Sequence, residues 1–350
     1  MARESQVRER SVLPAFRFSK AFRAPREIKA FLNLECGVTR GTVPDIKQFR
    51  SALEQVEKQR RLLGKQNQEI TRLKMKLSTV DESTTGGRER STAAGGSGEG
   101  ALPDFLIIGA QKCGTTFLYH LLCQHPYVET ASTKEIHFFD TNFAEGVQWY
   151  RSHFLTSSQK NRRKILTGES SPYYIYHPHA AKRVAQVVPR VKLIALLRNP
   201  VDRAYSDYNH KFREAREHLS FEEAIEAEED RLRGEKEKLL ADEDYHSSKY
   251  RKYSYLSRGI YVDQLVEWDR YFDSDQLLVL KSEDFFENPQ ESYERVLRFL
   301  GLPHWETRVS GERNEGEYDE MNSSTRQRLE AYFEPHNRRL YEFLGVDFGW

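Results

Sequence analysis

Cysteine is scarce in this 350-residue chain, which holds Cys36, Cys113 and Cys123 and no others. An odd number without disulfide or metal-ligand spacing excludes a disulfide framework and suits a reducing compartment. Long apolar runs are lacking too. The longest early stretches, 12–16 and 30–34, fall far short of the roughly 20 residues that a membrane span needs, and the layout of a secretory signal is missing. These absences predict a soluble chain without a membrane span and, by default, a cytoplasmic one. Net charge is nearly absent as well, with 54 Lys and Arg against 53 Asp and Glu, so the molecule as a whole gives nucleic acid no electrostatic footing. No His/Cys/Asp cluster carries ligand spacing, and no metal is expected.

The charge that is present is unevenly placed. Residues 1–100 hold 20 Lys/Arg and 12 Asp/Glu, a surplus of 8 that leaves residues 101–350 with 7 more acidic than basic groups. Residues 1–45 mix arginines with scattered apolar residues and no sustained period, which predicts a basic, disordered tail or a short docking segment. From Ile46 a heptad emerges. Ile46, Phe49, Leu53, Val56, Leu63, Ile70 and Leu77 fall on a and d positions, interrupted by Arg60, Asn67 and Lys74. The pattern predicts an amphipathic helix over 46–80, either a coiled coil that pairs two chains through 46–77 or a single helix lying on the main domain. Gly, Ser and Thr crowd residues 83–100, so 81–100 reads as a flexible linker.

Residues 101–350 read as one globular domain. Strand-like runs at 105–109, 127–131, 164–169, 192–198 and 276–280 alternate with helical stretches near 115–124, 179–187, 201–216, 261–272, 289–300 and 324–344. Such alternation predicts an α/β, P-loop-like three-layer fold with a mostly parallel central sheet, preceded by the helical extension. In these sheets ligands gather at the carboxyl ends of strands.

The first chemistry-bearing motif stands at such an end. Gly109 closes the run FLIIG, and Gln111, Lys112, Cys113, Gly114, Thr115 and Thr116 follow it and open a helix. Backbone N–H groups at that turn and the helix dipole make an anion site. A nucleoside triphosphatase places its lysine just after the second glycine, with a hydroxyl next to it for magnesium. Here Lys112 precedes Gly114, and no apolar strand ends in a convincing magnesium-binding aspartate, which disfavours a triphosphate. The second motif is LIALLRNPVDRAYSDYNH, 193–210. A strand delivers Arg198, Asn199 and Pro200 suit a cap and first helical turn, and Ser206 follows two turns along. An arginine fork and a hydroxyl can converge on one phosphate. Together the motifs predict a ligand with phosphate at two separate places.

In this order and at this distance, the two motifs resemble the 5′- and 3′-phosphate-binding motifs of sulfotransferases that use 3′-phosphoadenosine 5′-phosphosulfate (PAPS). The likeness runs over about residues 103–350 and takes in TKEIHFFD (133–140), GESSPYYIYHP (168–178) and SRGIYVDQLVEWDRYF (257–272). The K-E-x-H-F-F segment resembles the glycan-modifying branch, including heparan sulfate sulfotransferases. The resemblance implies an enzyme that moves a sulfuryl group from PAPS to a hydroxyl or amine of a carbohydrate-like acceptor, without a metal. It makes Lys112 the stabiliser of the leaving phosphate and Glu135 the general base. His137 either orients Glu135 or the acceptor, or fills the site wall. Cofactor contacts are implied for Gln111, Lys112, Cys113, Gly114, Thr115, Thr116, Arg198 and Ser206, and in a late loop for Arg313, Gly316 and Tyr318. Two lysines of the family pattern are missing: Ser170 stands before Ser171-Pro172, and the late loop reads Glu315-Gly316-Glu317-Tyr318. Their loss argues against a heavily sulfated acceptor. The competing readings are a nucleotide-binding scaffold without catalysis and a P-loop kinase. Residues 230–253, charged and rich in tyrosine, form either an acceptor lid or a solvated surface helix.

Overall fold

The computed structural model describes residues 99–306 and 318–350. The tail, the heptad segment, most of the linker, and Arg313 and Gly316 lie outside the described residues.

In chain order the elements are β1 (Phe105–Gly109), α1 (Thr115–Cys123), β2 (Val128–Thr130), α2 (Gly146–Arg151), α3 (Ser157–Arg163), β3 (Leu166–Ser170), α4 (Ala180–Val187), β4 (Lys192–Leu197) and α5 (Pro200–Arg213). Then come α6 (Phe221–Glu226), α7 (Glu228–Leu232), α8 (Glu235–Ala241), α9 (Ser248–Lys252), α10 (Tyr261–Asp269), β5 (Leu277–Lys281), α11 (Ser282–Glu287), α12 (Pro289–Leu300) and α13 (Ser323–Leu344).

The five strands form one sheet in the order β2-β3-β1-β4-β5, and every pairing is parallel. The sequence explains the middle of it. All five residues of β1 are buried, as are the last five of β4, because central parallel strands are covered on both faces and must be apolar throughout. From β1 the chain turns toward β2, whereas from β4 it proceeds to β5 on the other side. The carboxyl ends of β1 and β4 therefore flank the point where the winding reverses, the usual crevice for a ligand in an open α/β sheet. Both sequence motifs begin there.

Local capping sets the helices around that crevice. Asn199 accepts from the N–H of Val201 at 2.9 Å and Pro200 opens α5, an arrangement that starts a helix immediately after a strand. A second apolar cluster, built from Val201, Ala204, Tyr208, Phe221, Tyr255, Leu329 and Phe333, fastens α5 to α6 and α13.

Glu99 and Gly100 are structured parts of the domain. Gly100 bridges to Thr156, and its carbonyl accepts from Arg151 at 2.8 Å.

Candidate active site

A cleft of about 1680 Å³ opens at the carboxyl ends of β1 and β4. That exceeds the roughly 300–1,000 Å³ of a site for one small ligand, so there is room for two.

Its floor is the loop between β1 and α1. Gly114 has a φ of 89°, and a Cβ there would stand 2.8 Å from the Phe286 ring, so both backbone and space demand glycine. Lys112 also takes a left-handed φ, of 69°. Gly114 caps α1 without a side-chain hydrogen bond, which leaves the first N–H groups of α1 uncapped by any side chain, at the positive end of its dipole. Gln111, Lys112, Gly114, Thr115 and Thr116 all line the cleft. Burial lowers the pKa of Lys112, and the nearby Arg213 and Arg198 lower it further while Asp207 opposes them. Desolvated cations crowded in this way are relieved by a bound anion.

Among the described residues predicted as contacts, Cys113 alone does not line the cleft. Its thiol is fully buried beside Tyr261, its N–H is taken by Ala110 and its carbonyl by Ser282. Burial pushes the thiol up to about 11. Cys113 is a packing residue of the loop.

The second wall is Arg198 with α5. Arg198 reaches the Lys112 carbonyl at 3.5 Å, and its own carbonyl accepts from Tyr261. The two motifs therefore touch. Ser206 lines the same cleft. Behind it, Asp207 accepts from Lys211 at 2.8 Å and lies 3.5 Å from Arg203. Burial opposes ionisation, yet those two cations hold its carboxyl well below the usual range. Tyr318 also borders the cleft, its ring edge-on to Tyr205 at 5.4 Å.

The third wall is the segment after β2. Glu135 lines the cleft, with one carboxylate oxygen 2.9 Å from His137 Nε2 and the other 3.6 Å from Lys134 Nζ. Lys134 in turn donates to Thr116 at 3.0 Å, tying this wall to the floor. The other ring nitrogen of His137, Nδ1, sits 2.7 Å from the buried Asp140. Burial alone lowers a histidine, but two carboxylate partners outweigh it and push His137 up to about 9. Burial raises and the His137 partnership lowers Glu135, with a net lowering. The Arg251 guanidinium also lies 3.0 Å from His137 Nε2. That nitrogen can donate to Glu135 or accept from Arg251, and the raised imidazolium selects the first.

Some lining residues were not singled out from the sequence. Phe117, Leu121 and Phe286 supply an apolar margin; Arg213, Arg216, Arg251 and Lys252 supply charge. Within 230–253, Leu239, His246, Ser247, Ser248, Arg251 and Lys252 reach the cleft, so this insertion forms part of its wall. Arg183 on α4 clamps it there, donating to the carbonyls of Glu243 at 2.8 Å and Asp140 at 3.2 Å. The basic spacing at 249, 251 and 252 was the available signal. Among the described residues no His/Cys/Asp/Glu group could hold a metal ion.

Residues 102–347 match the family described as the sulfotransferase domain. The chain belongs to that family. It is 28% identical over 314 residues to the membrane-associated sulfotransferase kil1 of Dictyostelium discoideum, covering 71% of this chain and 66% of that protein. It is 30% identical over 271 residues to the bifunctional heparan sulfate N-deacetylase/N-sulfotransferase 1 of Caenorhabditis elegans, covering 70% of this chain and 30% of that protein. The chain thus spans about two thirds of the first relative and under a third of the second. A crystal structure of a sulfotransferase from Alicyclobacillus acidocaldarius superimposes with a TM-score of 0.55 at 30% identity, over 71% of this chain and 98% of that one. The domain is a sulfotransferase domain, and the chain is an enzyme by family.

The relatives correct one expectation. A cytoplasmic location does not stand, since these relatives include a membrane-associated sulfotransferase and heparan sulfate enzymes. Few cysteines do not report the compartment here: Cys113 is buried and Cys123 half-buried, so both thiols are shielded whatever the redox poise. Among the described residues no helix is long and apolar enough to cross a membrane.

Proposed function

We propose that this sulfotransferase domain moves the sulfuryl group of PAPS to a hydroxyl or amine of a carbohydrate-like acceptor. One observation carries the reading: the Lys112 loop and the Arg198–Ser206 wall meet at the reversal point of the sheet, 3.5 Å apart at Arg198 and the Lys112 carbonyl, with Glu135 in the same cleft.

The N–H groups of α1, with Thr115 and Thr116, hold the 5′-phosphosulfate, and Arg198 and Ser206 hold the 3′-phosphate. Phe117, Leu121 and Phe286 suit the flat face of a nucleobase. The acceptor oxygen bonds to sulfur as the sulfur–oxygen bond to the 5′-phosphate breaks, and adenosine 3′,5′-bisphosphate (PAP) leaves. Lys112 meets the charge that gathers on the leaving phosphate. Glu135 takes the acceptor's proton. His137 is unsuited to that task at neutral pH, because a ring raised to about 9 is already protonated; it orients Glu135 instead. Arg216, Arg251 and Lys252 give an acidic sugar a place to rest, which the two missing lysines had argued against.

Incubation of the protein with radiolabelled PAPS and a panel of glycans tests this. Label transferred to a glycan and lost in Glu135→Gln supports it; magnesium-dependent ATP turnover, or PAP binding without transfer to any acceptor, contradicts it.

A further inference from the structure

Glu169, at the end of β3, is 1% exposed and takes no part in the chemistry just described. Three hydroxyls donate to its carboxylate: Tyr150 at 2.9 Å, Tyr174 at 2.8 Å and Ser171 at 2.7 Å. A hydroxyl whose proton is committed in this way keeps its lone pairs for a donor elsewhere. Ser171 uses one to accept from the backbone N–H of His137 at 3.1 Å, and Tyr174 to accept from that of Phe138 at 2.8 Å. Tyr150 stacks on the Phe138 ring at 4.3 Å. One buried carboxylate therefore organises two consecutive amides of the segment that carries Glu135 and His137.

That segment needs such support. His137 has a φ of 55°, in the left-handed region that residues other than glycine enter uncommonly, Asn, Asp and His being the more tolerant. Its ring must also meet Glu135 and Asp140 at once. We infer that Glu169 is a positioning residue: through Ser171 and Tyr174 it fixes the backbone at His137 and Phe138, and so sets the Glu135–His137 pair against the phosphate loop. The ionised carboxylate accepts all three donors at once, Tyr150 and Tyr174 on Oε1 and Ser171 on Oε2, whereas protonation of Oε2 would turn the Ser171 contact round. Burial pushes the group up to about 7, opposed by those hydroxyls, which places ionisation near neutrality.

The inference rests on the proposed reaction for its kinetic consequence and not for its geometry, and its test separates the two. Glu169→Gln, Ser171→Ala and their double mutant are compared with wild type for turnover of PAPS, PAP affinity and the titration of His137, followed by nitrogen-15 NMR of the histidine rings with His137→Gln locating the resonance. The expected results are kcat lowered about 10- to 100-fold with PAP affinity unchanged, as for misplacement of a reacting group, and a double mutant no worse than Glu169→Gln alone, because both act on one network. The His137 midpoint is expected to fall from about 9 toward the ordinary 6.5. Should Glu169→Gln fail to fold, Tyr174→Phe, which removes the other arm, takes its place. Variants that melt earlier yet keep wild-type kcat and the His137 midpoint overturn the inference. If wild type transfers no sulfuryl group from PAPS, the proposed function falls while the His137 titration still decides the role of Glu169.

Discussion

The Nε2 of His137 stands 2.9 Å from a carboxylate oxygen of Glu135, and this pairing assigns the two residues different work. A histidine held between Glu135 and Asp140 keeps its proton past neutrality, whereas Glu135 stays ionised, as the proposed base role requires.

Replacing Glu135 by Gln is therefore expected to cut kcat by about 100-fold or more, the scale of a lost general base, while PAP affinity stays as in wild type. Gln keeps an acceptor for His137, so the fold survives. The check is single-turnover kinetics beside calorimetry with PAP. Near-normal turnover would hand the base role to another group.

The same pairing fixes a sign for stability against pH. His137 rises in the folded state from 6.5 to about 9, so its contribution is complete below pH 6.5 and is lost as pH climbs through 9. About 3 kcal/mol is at stake for such a shift. Urea midpoints of wild type are expected to approach those of His137→Gln as pH rises from 6.5 to 9. A constant gap across that window would contradict the pairing.

Lys112→Ala is expected to lower kcat about 100- to 1000-fold, as for removal of one preorganised donor to developing charge. Thr115, Thr116 and the α1 N–H groups remain, so PAP should still bind. Stopped assays with PAPS and titration with PAP separate the two effects.

The contacts of Gly100 and Ala101 set an expectation for truncation. A chain starting at Glu99 keeps the Gly100–Thr156 bridge and the 2.8 Å bond from the Ala101 N–H to the Leu155 carbonyl; one starting at Pro103 loses both, along with the burial of Ala101. At about 1 kcal/mol for each lost bond, the shorter chain is expected to melt several degrees lower, as calorimetric scans would record.

How far the sequence spoke depended on the distance over which each feature is decided. The run 105–109 coincides with β1 because a strand covered on both faces is apolar throughout. The stretch 289–300 coincides with α12 because Asn288 caps it, Pro289 opens it and Gly301 closes it at a φ of 71°. Lys112, Arg198 and Ser206, singled out by their motifs, and Glu135, singled out by the family resemblance, line one cleft. The chain could not reveal that Cys113 turns inward, since its neighbours in sequence all face the ligand side. Nor could it reveal the clasp of Glu169 on His137, which joins groups 32 positions apart through Ser171. The sequence reading offered one surface helix or a lid for 230–253 and did not mark off the four short helices α6 to α9, because short, highly charged segments carry little apolar period. The Ser220–Glu223 capping box and the apolar cluster around Phe221 hold α6, and hydrogen bonds from His179 to the Leu239 carbonyl and from Arg183 to the Glu243 carbonyl hold α8 and the turn after it.

Everything in this account depends on a cleft that grips a nucleotide by phosphates on two sides of its ribose. Calorimetry of the protein with PAP and with adenosine 5′-monophosphate, repeated with Arg198→Ala, tests it most directly. PAP is expected to bind far more tightly than the monophosphate, and Arg198→Ala to erase most of the difference. Equal affinity for the two nucleotides in the wild-type protein would contradict it.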